Sequence, residues 1–250
     1  MYCDIACKLN HARSGYAKAL AVSWVLATLP AVARADNIWG GSIGVSSDYF
    51  VRGVSRSAHE GALQGDVHFA TNAGFIGGLF VSTTKFQSDD SRDVELDPFV
   101  GFAWTAGPWR NRMTVAHYTY PWNSAGSGYD YDELSVDLTY RGWLNFNAMV
   151  SPNAFRYIPY RGLIGVNAAA AEVNLLWDLH NHWAAAAGLG AEHLAGPDPG
   201  TYLYWSAALS YEFAPMTLSV AYVNTDHEAK YLFYDAAARN HWTVTAIWRF

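Results

Sequence analysis

Apolar and polar residues alternate along most of this chain. In the last segment, Trp242, Val244, Ala246, Trp248 and Phe250 fall on one face. His241, Thr243, Thr245 and Arg249 fall on the other, with Ile247 the exception. Leu134, Val136, Leu138 and Tyr140 oppose Ser135, Asp137, Thr139 and Arg141. Leu144, Phe146, Ala148 and Val150 oppose Asn145, Asn147, Met149 and Ser151. A period of two belongs to a strand whose faces meet unlike surroundings, not to a helix. Such segments lie near 39–54, 61–72, 75–86, 93–105, 109–120, 131–141, 143–154, 166–178, 183–194, 201–213, 216–226 and 240–250.

The connections alternate in length. The short ones are 72–74, 106–108, 141–142, 179–182 and 214–215; the long ones are 55–60, 87–92, 121–130, 155–165, 195–200 and 227–239. Short turns at one end and long loops at the other are the signature of an outer-membrane barrel. The pattern therefore predicts an all-β fold: a transmembrane antiparallel up-and-down β-barrel of about twelve strands, with ten to fourteen as the neighbouring counts. Each spanning strand needs about ten residues, which leaves ample chain for the connections.

The N-terminus follows another rule. Lys8, Arg13 and Lys18 precede an apolar run from Ala19 to Leu29, Pro30 breaks it, and Ala33-Arg34-Ala35 is a small-x-small cleavage site. Residues 1–35 read as a secretory signal and 36–250 as the barrel, with Asp36 the mature start. Four of the 16 bases and one of the 22 acids lie in the signal, so the mature chain carries 12 bases, 21 acids and a formal charge of -9. Cys3 and Cys7 leave with it, which removes disulfides and thiolate metal sites.

Composition separates the membrane barrel from a soluble one. An exported sandwich or lipocalin-like barrel also alternates, but it needs a charged exterior. Only 15% of the residues are charged while 51% are apolar. Trp104, Trp109, Trp143, Trp177, Trp183 and Trp248 cluster near the short turns. Tyr118, Tyr120, Trp122, Tyr129, Tyr131, Tyr202 and Tyr204 cluster near the long loops, and the two groups read as interfacial belts. Trp248 and the terminal Phe250 resemble the C-terminal signal read by the barrel-assembly machinery during insertion. The net negative charge argues against nucleic acid as a partner.

Several short motifs resemble the proteobacterial TorF-type porins, a family of conserved outer-membrane proteins of unsettled function. They are Ser47-Asp48-Tyr49-Phe50-Val51-Arg52-Gly53-Val54-Ser55, Leu63-Gln64-Gly65, Glu95-Leu96-Asp97 followed by Gly101, Tyr118-Thr119-Tyr120-Pro121, Tyr131-Asp132-Glu133-Leu134 and Val150-Ser151-Pro152. The proline usual before the second motif is absent, since Gly61-Ala62 stands there. The likeness is good over residues 40–155 and loose beyond. It implies an outer-membrane barrel and a pore, and no particular solute.

Parity also predicts a lumen. Asp66 and His68, Glu95 and Asp97, Asp137 and Arg141, Asn145 and Asn147, Glu172 and Asn174, and Glu212 oppose apolar faces, and Asp48 and Arg52 point inward from the first strand. These side chains either line a water-filled passage for ions or small polar solutes or form a salt-bridged network that fills the bore. Arg52 is expected to pair with Glu95 or Asp97. The acids outnumber the bases, so an open pore would favour cations. Ala168 to Ala171 and Ala184 to Ala187 either pack against a loop folded into the barrel or form weak strands.

Other chemistry finds less support. His180-Asn181-His182 sits in a short turn with no third ligand in view, and His59, His193, His227 and His241 read as polar rim residues. Lipid-acting barrel hydrolases place a Ser-His pair on the outer wall, and the nearest match is His117-Tyr118-Thr119. No phosphate loop, dinucleotide fingerprint or zincin spacing occurs. No cofactor, metal or catalytic residue is expected. The sequence reading is an outer-membrane porin whose lipid and small solutes are its partners. Its rivals are a non-conducting scaffold or adhesin acting through long loops, and, further off, a lipid-modifying hydrolase.

Overall fold

The structure is a computed structural model that describes residues 38–86, 92–123, 126–158, 161–233 and 237–250. The expected signal at 1–35 and the start at Asp36 lie outside the described residues. Twelve strands form one closed antiparallel barrel in which chain neighbours are sheet neighbours. In chain order they are β1 (Ile38–Ser46), β4 (Ala62–Ala70), β5 (Phe75–Lys85), β6 (Arg92–Ala106), β7 (Trp109–Tyr118) and β8 (Tyr131–Tyr140). Then come β9 (Leu144–Ile158), β10 (Gly162–Asp178), β11 (Trp183–Leu194), β12 (Gly200–Phe213), β13 (Met216–Thr225) and β14 (His241–Arg249). A two-stranded hairpin, β2 (Phe50–Val51) and β3 (Val54–Ser55), stands apart from that sheet. One helix, α1 (His227–Phe233), sits in the last long connection.

The strands form where period two puts polar residues on one side and apolar ones on the other. β1 buries Ser42 and Ser46 and exposes Ile43 and Val45; β13 buries Thr217 and Ser219 and exposes Leu218 and Val220. The barrel is thus polar within and apolar without, the reverse of a soluble barrel. Among the described residues no helix is long and apolar enough to cross a membrane.

Closure is made by the last strand. Ser42 to Ser46 pair with Arg249 back to Thr245. Phe250 adds one more rung, its N–H donating to the Gly41 carbonyl at 3.0 Å while the Gly41 N–H donates back at 3.1 Å. Gly41 is glycine because the Phe250 ring lies over it. A Cβ there would come within 2.9 Å of the ring and 2.6 Å of the Asp66 carbonyl oxygen.

Three expectations change. The segment 39–54 is not one strand: β1 ends at Ser46 and the chain turns inward. The loop expected at 155–165 is mostly strand, because β9 runs to Ile158 and β10 begins at Gly162. The long-loop tyrosines are not an outer belt. Tyr118, Tyr120, Tyr129, Tyr131, Tyr202 and Tyr204 are buried, leaving Trp122 exposed. On the strands Tyr118 shares the parity of Thr114 on β7, Tyr131 that of Glu133 on β8, and Tyr202 and Tyr204 that of Ser210 on β12, so these point inside with the polar residues. At the short-turn end Trp104, Trp143, Trp177, Trp183 and Trp248 do face outward.

The seam yields a test. Gly41→Val is expected to destabilise the barrel by about 1–3 kcal/mol, the usual cost of overpacking. The temperature at which the compact form is lost on semi-native gels measures it. An unchanged temperature would mean that the Phe250 ring moves aside freely.

Candidate functional site

Residues 47–60 leave β1 and fold into the long-loop half of the barrel. The hairpin tip is Arg52-Gly53, with φ of 49° and 81°, the pair of positive values that a two-residue type I′ turn needs. Glycine is required at 53 on two counts, since a Cβ there would also lie 2.6 Å from Thr225 and 2.8 Å from the Tyr204 side chain. The tip carries a cation into the barrel interior. Arg52 is 3% exposed. Its guanidinium makes one short ion pair with Glu133 of β8 and a second, at 3.5 Å, with Glu192 of β11. The Tyr202 hydroxyl donates to Glu192 at 2.5 Å and lies 3.2 Å from the Arg52 carbonyl oxygen. A buried charge persists only when paired and hydrogen-bonded, and here one arginine holds two acids from strands three apart in the wall.

A second acid pair sits beside the first. Glu95 accepts from Tyr49 at 2.7 Å and, through a short bond, from Tyr120. Asp97 is also 1% exposed, and its Oδ1 has no hydrogen-bond partner among the described residues. The Arg56 guanidinium carbon lies over Phe155, 4.6 Å from the ring centre, and 5.9 Å from that of Phe86. Phe86 stacks on Tyr129 at 4.4 Å, and Tyr118 on Tyr131 at 4.2 Å. On the other side of the hairpin Val54 packs with Ala154, Ala168, Leu194, Tyr202 and α1 residues Ala229 and Leu232. The cavity left between hairpin and wall is about 20 Å³, room for about one water molecule. Outside the interior Glu60 anchors the segment, accepting from Lys85 at 2.6 Å and from Arg92 at 2.7 Å. The Lys85 hydrogen bond is the first cause of its lowered carboxyl pKa.

The short-turn half holds a separate network. Asp66 accepts from His68 at 2.6 Å and from Ser42. Arg112 donates to Asp137 at 2.7 Å, and Asn147 donates to the same carboxylate at 3.0 Å. Asn174 donates to Glu172 at 2.6 Å and to Asn145 at 3.3 Å. Arg249 donates to Thr217 at 2.8 Å.

The interior therefore holds Asp48, Arg52, Asp66, His68, Glu95, Asp97, Asp137, Asn145, Asn147, Glu172, Asn174 and Glu212, though Asp48 and Arg52 sit on the inward segment rather than on a strand. Arg141 is corrected. It occupies the turn after β8 at a φ of 48°, exposed over the Tyr140 ring, because a two-residue hairpin takes both its residues out of the strand alternation. Arg112 is the base beside Asp137. The pairing of Arg52 with Glu95 or Asp97 is also corrected, to Glu133 and Glu192. Sequence reasoning missed Glu133, Glu192 and Arg112, although each carries the inward parity of its strand. Asn181 and His182 both have positive φ, so their segment is a turn. His117 points outward and bonds Asp132 at 2.8 Å, which also accepts from Asn153 at 3.1 Å. Among the described residues no serine hydroxyl is bonded to His117. Ala168 takes the first of its two readings, packed against the folded-in segment through Val54.

A family model described as "Bacterial protein of unknown function (Gcw_chp)" matches residues 32–250. No curated protein sequence matches the chain. Solved structures resemble it in fold. A NanC porin in a rhombohedral crystal form is 12% identical with a TM-score of 0.53, over 84% of this chain and 98% of that one. A structure from a study of in-meso crystallization of membrane proteins is 9% identical with a TM-score of 0.53, over 84% and 83%. A KdgM porin in complex with disordered oligogalacturonate is 9% identical with a TM-score of 0.48, over 86% and 99%. At such identities the likeness is one of barrel fold.

Removing the central cation has a clear expected cost. Arg52→Ala leaves Glu133 and Glu192 buried and uncompensated and should destabilise the protein by about 3–5 kcal/mol. Adding Glu133→Gln and Glu192→Gln should recover most of it. Denaturant unfolding of the refolded protein in detergent measures both.

Proposed function

The chain belongs to the Gcw_chp family of bacterial proteins of unknown function, and on that premise we propose that it is an outer-membrane porin of small conductance. Ions or small polar solutes pass between the lumen acids, and the segment 47–60 forms the constriction. One observation carries the reading. The barrel is closed and inverted, with carboxylates, arginines and amides inside and Leu, Val and Trp outside. Such a wall is stable in hydrocarbon because every strand edge is paired, and its interior is suited to water and ions rather than to a dry core. The finer placement among TorF-type porins belongs to the same proposal and is supported by the motifs at 47–55, 95–101, 118–121, 131–134 and 150–152.

One observation favours a second reading, a non-conducting barrel that works through its loops. The hairpin, one aromatic cluster and one largely aliphatic cluster occupy the long-loop half of the interior. Single-channel recording separates the two. The porin reading expects small, resolved current steps from wild type and larger steps once residues 50–55 are replaced by a Gly-Ser linker. A wild type and a linker variant that are both silent would favour the scaffold.

Selectivity is the second test. Acids outnumber arginines on the inner wall, so reversal potentials across a salt gradient should show cation preference, and an anion preference would sink that part of the proposal. Export is the third. The exported chain is expected to begin at Asp36, which the intact mass of protein from isolated outer membranes checks.

A further inference from the structure

We propose that Asp48, His59 and His241 form a binding site for one divalent transition-metal ion of the zinc and copper class. The three come from different parts of the chain. Asp48 follows β1, His59 closes the inward segment and His241 opens β14. One donor atom from each lies within 4.8 Å of the others. The Asp48 side chain is fully buried, and its orientation is set on both sides. Oδ1 accepts from the hydroxyls of Ser55 at 2.7 Å and Ser57 at 2.8 Å, while Oδ2 takes His59 Nδ1 at 2.6 Å. The two imidazoles stack with centroids 4.8 Å apart, and the Phe50 ring lies 6.0 Å from one and 6.3 Å from the other. The Asp48 backbone is tied to the wall as well, its carbonyl oxygen accepting from Thr243 at 3.2 Å.

Two neutral imidazoles and one carboxylate suit zinc, copper or nickel, and not calcium or magnesium, which ask for oxygen ligands. The serine hydroxyls are the outer partners that orient a ligating carboxylate, and the phenyl ring limits water on one side. Both histidines are partly exposed, which leaves an entry path from the loop end. A bound ion would take a ring-nitrogen lone pair from each of the two facing imidazoles. It would also join residues 48 and 59 of the inward segment to β14, pinning the hairpin against the wall. The proposal does not rest on conductance, since metal uptake is read directly.

The experiment uses tag-free barrel refolded in detergent, stripped with chelator and titrated with zinc chloride at pH 7.5. Calorimetry and elemental analysis should give about one zinc per chain, and zinc should raise the melting temperature. His59→Ala and His241→Ala should each weaken binding at least about tenfold. His241 is a half-exposed first residue of a strand, so that variant is expected to keep the compact form on semi-native gels even if Asp48→Asn does not fold. A His180→Ala, His182→Ala control should bind as wild type does. A wild type that takes up no zinc, or a folded His59→Ala, His241→Ala variant that takes up as much, would overturn the site.

Discussion

Closure of the sheet between β1 and β14 is the constraint on which the rest depends. A closed antiparallel barrel pairs every strand edge and leaves two surfaces only, one inside and one outside. Once alternate residues must face opposite ways, an apolar outer face commits the other half of each strand to the interior. The excess of acids over bases in residues 36–250 then acquires a location. Much of it sits within the wall, where an isolated carboxylate is costly.

That cost explains the inward segment. The long-loop half of the interior presents Glu95, Asp97, Glu133 and Glu192. Arg52 enters from a type I′ tip to meet two of these, and tyrosine hydroxyls from Tyr49, Tyr120 and Tyr202 meet Glu95 and Glu192. Four of the short motifs that resemble the TorF-type porins converge here. Ser47–Ser55 is the inward hairpin itself, Glu95 bonds Tyr49, Tyr120 donates to Glu95, and Glu133 holds Arg52. Segments far apart in the chain are thus neighbours in one polar plug.

Strand count, connectivity and the inward direction of all but one candidate residue were legible in the chain. Each depends on local alternation, which survives translation from sequence to structure without knowledge of partners. Arg141 failed because a turn residue belongs to neither face. The tyrosine belt failed for a related reason: a tyrosine suits an interface or a hydrogen-bonded interior equally well, and only parity distinguishes them. The run 39–54 was read through as one strand because Asp48 and Arg52 kept alternating after the strand itself had ended.

By itself the sequence determined which residues face in and which face out, because side-chain direction along a strand has a period of two and needs no tertiary information. It could not determine which inward residues meet. That depends on strand register and on how a non-strand segment folds across the bore. Arg52 reaches Glu133 and Glu192, 81 and 140 residues away, and His59 stacks on His241 across the closing seam. Such pairings exist only once the barrel has closed, since closure is what brings the two ends of the chain together.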